Sequence, residues 1–178
     1  MLIMQKVEKE TIGMLRALHQ KQVQLVMIAD QKANMLLGIV VVALSMFVFN
    51  FAFEFQSEIL KLLFFLFCAI ELFAVILCIL VVSPRIGSKS SYKKLEDMEN
   101  PLFFRHFSNF NRDDYVAFII ENIENPRKVF ELIIADYYDL GIGLEKKYTL
   151  LKSAYIVALV GLLPIIFLIF YGGSNIKL

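Results

Sequence analysis

A polar helix that continues into an apolar span without a helix breaker constrains this chain more than any other feature. Residues 28–39 read IADQKANMLLGI, with Asp30 and Lys32 in the polar part. No proline and, before Gly38, no glycine interrupts the segment. One helix is therefore expected to cross the change from polar to apolar sequence. Such a helix could carry a movement of a water-facing segment into a bilayer.

The composition is that of an integral membrane protein. Hydrophobic residues make up 58% of the 178 residues, 17 of them are Phe, and the mean hydropathy is +0.66. Soluble domains typically contain only about 45–50% apolar residues. The net charge of +1 gives no electrostatic reason to expect a nucleic-acid partner.

Three apolar runs, residues 35–55, 59–82 and 153–171, are long enough to span a bilayer core of about 30 Å as helices. The remaining segments are a polar N-terminal helix, residues 1–34, and a helical region, residues 83–152. We predict an all-α integral membrane protein with three transmembrane helices. Its cytoplasmic domain is predicted to consist of long extensions of the juxtamembrane helices and to act as a sensor.

The distribution of basic residues predicts the orientation. Of the 18 Lys and Arg residues, five lie in the N-terminal segment and eleven in residues 83–152. Because basic residues concentrate on the cytoplasmic side of a membrane protein, the N-terminus and the middle region are predicted to be cytoplasmic.

Capping residues predict where two further helices begin. Asn111 is followed three residues later by Asp114, which resembles a capping box. Asn125 and Pro126 form a second start signal. The helix from Pro126 is expected to run into the third span, with a kink at Pro164.

An aromatic and basic cluster follows the basic loop. Phe103, Phe107 and Phe110 have spacings of four and three and are predicted to share one helical face. Arg105 and His106 diverge from that face and are the better candidates to hold a phosphate or a base. Alternatively, the Phe stripe packs on other cytoplasmic helices or on the membrane surface.

Glu71 lies near the centre of the second span, where a carboxylate is costly unless it faces protein, water or a partner. One interpretation is a protonated Glu71 bonded to Ser45, Asn50 or a neighbouring copy. The other is that Glu71 lines a pore or an assembly interface. Since three spans are few for a channel, a homo-oligomer is expected.

Polar residues near the membrane boundary form a second candidate site. Asp30 and Lys147 are expected at a matching depth, roughly 7–9 Å below the bilayer boundary. Asp136, Asp139, Gly143 and Lys147, at spacings of three, four and four, form a polar stripe on the last cytoplasmic helix. Gly141 and Gly143 are unfavourable inside a helix, which indicates close backbone approach or ligand access. Alternatively, Asp30 or Lys32 forms a salt-bridged joint with the cluster of residues 145–147.

The sequence gives little support for catalysis. It contains two histidines, neither at metal-ligand spacing with Cys or carboxylates, and no phosphate-binding loop or hydrolase motif. We expect no enzyme activity, no catalytic residue, no metal and no resident cofactor. The residues alone indicate a three-span membrane protein with a helical sensor or docking region.

Three motifs in their order resemble the membrane-spanning effectors of Pycsar (pyrimidine cyclase) anti-phage systems: ADQKANMLLGI, NPLFFRHF and DYYDLGIGLEKKYTLLKSAY. The resemblance extends over residues 25–171. It implies a bacterial inner-membrane effector that works with a pyrimidine nucleotide cyclase. On phage infection, cyclic UMP or cyclic CMP would activate the effector, and disruption of the membrane would abort the infection.

The resemblance also carries over to individual positions. The matching residues are Asp30, Lys32, Ala33, Phe103, Phe104, Asp136, Tyr138, Gly141 and Lys147. We hypothesise that the ligand contacts are Lys32, Arg105, His106 and Lys147. The hypothesised signal-transmitting residues are Asp30, Asp136 and Gly143, and those shaping the pore or assembly are Asn50 and Glu71.

Two other functions fit the residues. The chain could be a membrane-anchored docking scaffold without pore activity, or a constitutive ion conductor that needs no ligand. Replacement of Glu71 by Leu should leave an anchor working but change the toxicity of a pore former.

Overall fold

The structure is a computed structural model that describes residues 2–51, 57–83 and 92–172. Within these ranges it is almost entirely helical and contains no strand, which confirms the predicted all-α class. The helices are α1 (Leu2–Phe51), α2 (Glu58–Val82), a 3-10 turn (Leu95–Asp97), α3 (Phe104–Phe107), α4 (Arg112–Ile123) and α5 (Pro126–Gly172).

Three of these helices contain segments that are long and apolar enough to cross a membrane. The segments are Glu10–Phe49, Glu58–Val82 and Pro126–Phe167. The predicted membrane character is therefore confirmed. The predicted end of the first span at residue 55 lies outside the described residues, as do residues 84–91 of the predicted sensor region.

Side-chain caps form at both predicted helix starts. The Asn111 side chain accepts a hydrogen bond from the Asp113 backbone N–H at 2.8 Å, before α4. Asn125 accepts from the Arg127 N–H at 3.0 Å, before α5. Each side chain satisfies an N–H group that the first helical turn leaves without a partner.

The two long helices are uninterrupted where the sequence changes from polar to apolar. α1 continues through residues 28–39, as its lack of helix breakers predicts. α5 extends over 47 residues with Pro164 inside it. Both helices therefore contribute polar and apolar segments to the protein.

The chain divides into two compact units. The polar unit comprises Met1–Val26 and Pro84–Glu145, and the bundle unit comprises Met27–Ser83 and Lys146–Leu178. α1 and α5 contribute to both units, whereas α2 belongs to the bundle unit and α4 to the polar unit.

Small side chains form much of the core of the bundle unit. Its main cluster consists of Leu36, Val40, Ala74, Leu77, Cys78, Ala154 and Ala158. The Ala residues allow helix backbones to approach closely, as is usual inside membranes. Large apolar side chains on the outside, such as Ile39 and Leu62, each 69% exposed, are suited to lipid.

The aromatic cluster of the polar unit differs from its prediction. α3 begins after Phe103 and ends after one turn at Phe107, and a new helix begins after Asn111, so only Phe107 of the three lies in a helix. The prediction of a common helical face is wrong for this reason. Phe107 instead stacks on Tyr115, with ring centroids 4.6 Å apart.

Candidate functional site

A fully buried asparagine connects the loop before α3 to α5. The side-chain amide of Asn100 donates to Asp136 Oδ1 at 3.1 Å and to Asp139 Oδ2 at 2.9 Å. Its side-chain oxygen accepts from the Leu102 N–H at 3.0 Å. One side chain therefore fixes the loop and holds two neighbouring carboxylates in place.

His19 extends this network to α1. Its Nε2 lies 2.8 Å from Asp136 Oδ2. Since Asn100 occupies the other oxygen, both oxygens of Asp136 have partners. The predicted residue Asp136 is thus the point where α1, α5 and the loop are held together.

His106 has a structural contact in the same network. Its Nδ1 lies 3.0 Å from the backbone carbonyl oxygen of Asn100, so this nitrogen carries the donating proton. Its ring packs edge-on against Tyr92 and Phe103, with centroid distances of 5.0 and 5.2 Å. These contacts fix the orientation of the imidazole.

A cavity of about 460 Å³ lies beside His19 in the polar unit. Its lining residues are Ile12, Arg16, His19, Gln20, Leu102, Ile133 and Asp136. The walls are mainly apolar, with a few polar groups. Small-molecule sites commonly have this composition and a volume of about 300–1,000 Å³.

The four predicted ligand residues are divided between the two units. Arg105 and His106 belong to the polar unit, whereas Lys32 and Lys147 belong to the bundle unit. One guanidinium nitrogen of Arg105 is buried and has no hydrogen-bond partner in the described part of the chain. Lys32 is exposed. The role of these four residues in ligand binding stays a prediction.

Asp30 and Lys147 form an ion pair inside the bundle unit. Their side chains are 31% and 13% exposed, respectively, so water screens the pair only in part. An apolar cluster contains Ala29 and Ala33 of α1 and Leu151 of α5, within one turn of the paired residues, together with Val81 of α2. The pair is the salt-bridged joint that one interpretation of the sequence predicted.

Gly141 and Gly143, the two glycines near the polar stripe, have different surroundings. A Cβ at Gly141 would lie 3.2 Å from Gln22 Nε2, whereas a Cβ at Gly143 would meet no atom within 4 Å. Close approach to α1 therefore explains Gly141 but not Gly143. The side-chain oxygen of Gln22 is buried without a partner among the described residues.

Glu71 is a buried carboxylate of the bundle unit, only 2% exposed. It lies against Gly161 of α5, where an added Cβ would collide with the carboxylate. Its Oε2 has no hydrogen-bond partner in residues 2–51, 57–83 and 92–172. Ser45 bonds to the Val41 carbonyl of its own helix rather than to Glu71. The side chain of Asn50 lies outside the described residues.

Sequence reasoning missed several residues of these sites, among them Asn100, Arg16, His19, Gln22 and Gly161. Asn100 precedes Pro101, and such a pair normally indicates an exposed turn rather than a buried bridge. In the sequence, Arg16 is an ordinary polar position of an amphipathic helix, and Gln22 is a single polar residue within its apolar stripe. Their roles depend on which residues of α5 they approach.

The comparisons with known proteins gave one match. The sequence-family model of the Pycsar effector protein domain matches residues 14–173 of this chain. This range includes most of α1 and all of α2 to α5. No curated protein and no solved structure matches the chain.

Proposed function

This chain belongs to the Pycsar effector family, and on that premise we propose that a cyclic pyrimidine nucleotide activates it to disrupt the bacterial inner membrane. The family assigns it an anti-phage effector role and pairs it with a cyclase and cyclic-nucleotide signalling. Activation and membrane damage are the parts proposed here. The activating ligand is cyclic UMP or cyclic CMP.

The continuity of α1 and α5 is the observation that supports this proposal most. Each helix passes from the polar unit into the bundle unit without a break. A ligand that changes how these helices pack in the polar unit would act on the same rigid elements in the bundle. Asp30, Asp136 and Gly143 would transmit the change along them.

The polar unit would lie in the cytoplasm, where a cyclase releases its product. The excess of Lys and Arg in this unit supports the orientation. A cysteine replacing the exposed Lys21 should then react with an impermeant maleimide only after the inner membrane is permeabilised. Labelling of intact spheroplasts would contradict the orientation.

Assembly of several copies would make the switch effective. Shifting a resting population from 1:99 to 99:1 needs about 5.5 kcal/mol of differential ligand binding. Several ligands bound to one homo-oligomer supply this difference in binding free energy more easily than a single ligand does. Glu71 and Asn50 would shape the membrane-disrupting state, and the protein would act through binding rather than catalysis.

Co-expression in bacteria tests the proposal. Cells that produce this protein with an active pyrimidine cyclase should lose membrane potential and take up propidium iodide. Cells with a catalytically inactive cyclase should do neither. Intact membranes with the active cyclase and confirmed cyclic nucleotide would contradict the proposal and favour a docking scaffold, whereas damage with both cyclases would indicate a constitutive conductor.

A further inference from the structure

We propose that the cavity beside His19 is the binding site for the cyclic pyrimidine nucleotide, with Arg16 on its phosphate. The inference rests on the proposed function and locates its ligand. It assigns the site to a set of residues different from the four that the sequence predicted. The cavity lies wholly within the polar unit, between residues of α1, α5 and the loop before α3.

Arg16 supplies the charge that such a ligand needs. It is exposed on α1, lines the cavity, and makes no hydrogen bond or ion pair with any residue that the structure describes. A cyclic nucleotide carries one negative charge on its phosphodiester. A guanidinium can donate two parallel hydrogen bonds to the two free phosphate oxygens.

The carboxylate of Asp136 also lines the cavity and is the anion with which Arg16 could pair in place of a phosphate. Its two oxygens are already bonded, one to His19 and one to the Asn100 amide. These two partners satisfy the carboxylate and hold it at the wall. Because Asp136 does not pair with Arg16, the guanidinium stays available to the phosphate.

The remaining walls suit a pyrimidine base. Ile12, Leu102 and Ile133 provide apolar surface for the faces of the ring and the ribose. Gln20 provides an amide, which offers both a donor and an acceptor to the edge of uracil or cytosine. The site thus combines one cation, one amide and apolar walls around a small ligand.

The position of the cavity also accounts for activation. The ligand would contact α1 through Arg16 and α5 through Ile133. These are the two helices that continue into the bundle unit. Binding can then favour one packing of α1 against α5, which is the differential affinity that a ligand needs in order to shift a population.

Equilibrium dialysis of the purified full-length protein in detergent, with labelled cyclic UMP or cyclic CMP, tests the site. Arg16→Gln should weaken binding about tenfold or more, because among the described residues that line the cavity Arg16 carries the only full positive charge. Lys21→Gln is the matched control, since it removes the same charge from an exposed position on the same helix. Its binding should equal that of the wild type.

A second variant blocks the cavity sterically. Gln20 is exposed and lines the cavity, so Gln20→Trp should fill it without disturbing the packed interior. Loss of binding in Arg16→Gln and Gln20→Trp, but not in Lys21→Gln, would support the site.

Two results would overturn the inference, and they are distinguishable. Wild-type affinity in Arg16→Gln and Gln20→Trp would exclude this cavity while leaving the proposed function intact, and Arg105→Gln and Lys147→Gln would then locate the ligand. If the folded wild-type protein binds no cyclic pyrimidine nucleotide, the proposed function itself fails, and the site with it.

Discussion

The carboxylate of Glu71 on α2 lies directly against the backbone of α5 at Gly161, so that no Cβ fits between them. The carboxylate carbon is 2.8 Å from where that Cβ would stand. Glycine at residue 161 thus permits a buried carboxylate inside an apolar helical bundle. Both residues belong to the bundle unit, which contains the predicted pore or assembly site.

Gly161→Ala should destabilise the bundle unit by about 1–3 kcal/mol, because the added methyl group overpacks a buried contact. Gly38→Ala is the matched control. A Cβ at Gly38 meets no atom within 4 Å, so this change should be neutral or stabilising by up to about 1 kcal/mol. Unfolding in mixed micelles with increasing denaturing detergent measures both changes. Equal effects of the two substitutions would contradict the contact.

Removing the carboxylate should rescue the alanine variant. The double variant Gly161→Ala with Glu71→Ala should be more stable than the sum of the two single effects predicts, since the methyl group then has space. Residues in contact typically show coupling energies of about 0.5–3 kcal/mol. Strict additivity in the same unfolding assay would indicate that the two side chains do not meet.

Glu71→Leu and Glu71→Gln separate the roles of charge and shape in membrane damage. Both should change nucleotide-induced leakage if Glu71 shapes the disrupting state, and Glu71→Gln should change it less because it keeps the polar shape. Leakage is measured at equal protein incorporation into liposomes. Unchanged leakage in both variants would assign Glu71 to packing alone.

Asp30→Asn and Lys147→Met should each destabilise the bundle unit by about 1–2 kcal/mol, because each breaks a partly buried ion pair. The double variant should cost little more than either single variant. Lys146→Met, at an exposed neighbouring position, is the control and should have little effect. If Lys147→Met abolished nucleotide binding while Asp30→Asn left stability unchanged, Lys147 would be a ligand contact instead.

Asn100→Ala should destabilise the polar unit by about 1–3 kcal/mol, since it removes the buried donor that Asp136 and Asp139 share and the acceptor of the Leu102 N–H. Asn109→Ala, at an exposed position nearby, should be close to neutral. Hydrogen exchange of the polar unit, followed by mass spectrometry, measures the loss of protection. Similar exchange in both variants would show that Asn100 does not hold the loop to α5.

The helical elements were largely predictable because their signals are local. Uninterrupted sequence predicted α1, and side-chain caps at Asn111 and Asn125 predicted the starts of α4 and α5. The predicted common face of Phe103, Phe107 and Phe110 was wrong, because the spacing of these residues does not reveal that α3 ends after one turn.

The candidate sites were less predictable because their contacts join distant parts of the chain. His19 and Asp136 are 117 residues apart, as are Asp30 and Lys147. Depth relative to the membrane suggested the second pair, since both residues lie just before apolar spans. His19 and Asp136 do not lie next to an apolar span, so membrane depth could not suggest this pair. Their contact depends on how α1 packs on α5.

Dye leakage from liposomes that contain the purified protein tests the central claim most directly. Cyclic UMP, cyclic CMP, cyclic AMP or no nucleotide is added to the same preparation. The protein should release dye with a pyrimidine cyclic nucleotide and none with cyclic AMP or without ligand. Folded protein that releases no dye with cyclic UMP or cyclic CMP, or releases it equally under all conditions, would contradict a ligand-activated, membrane-disrupting effector.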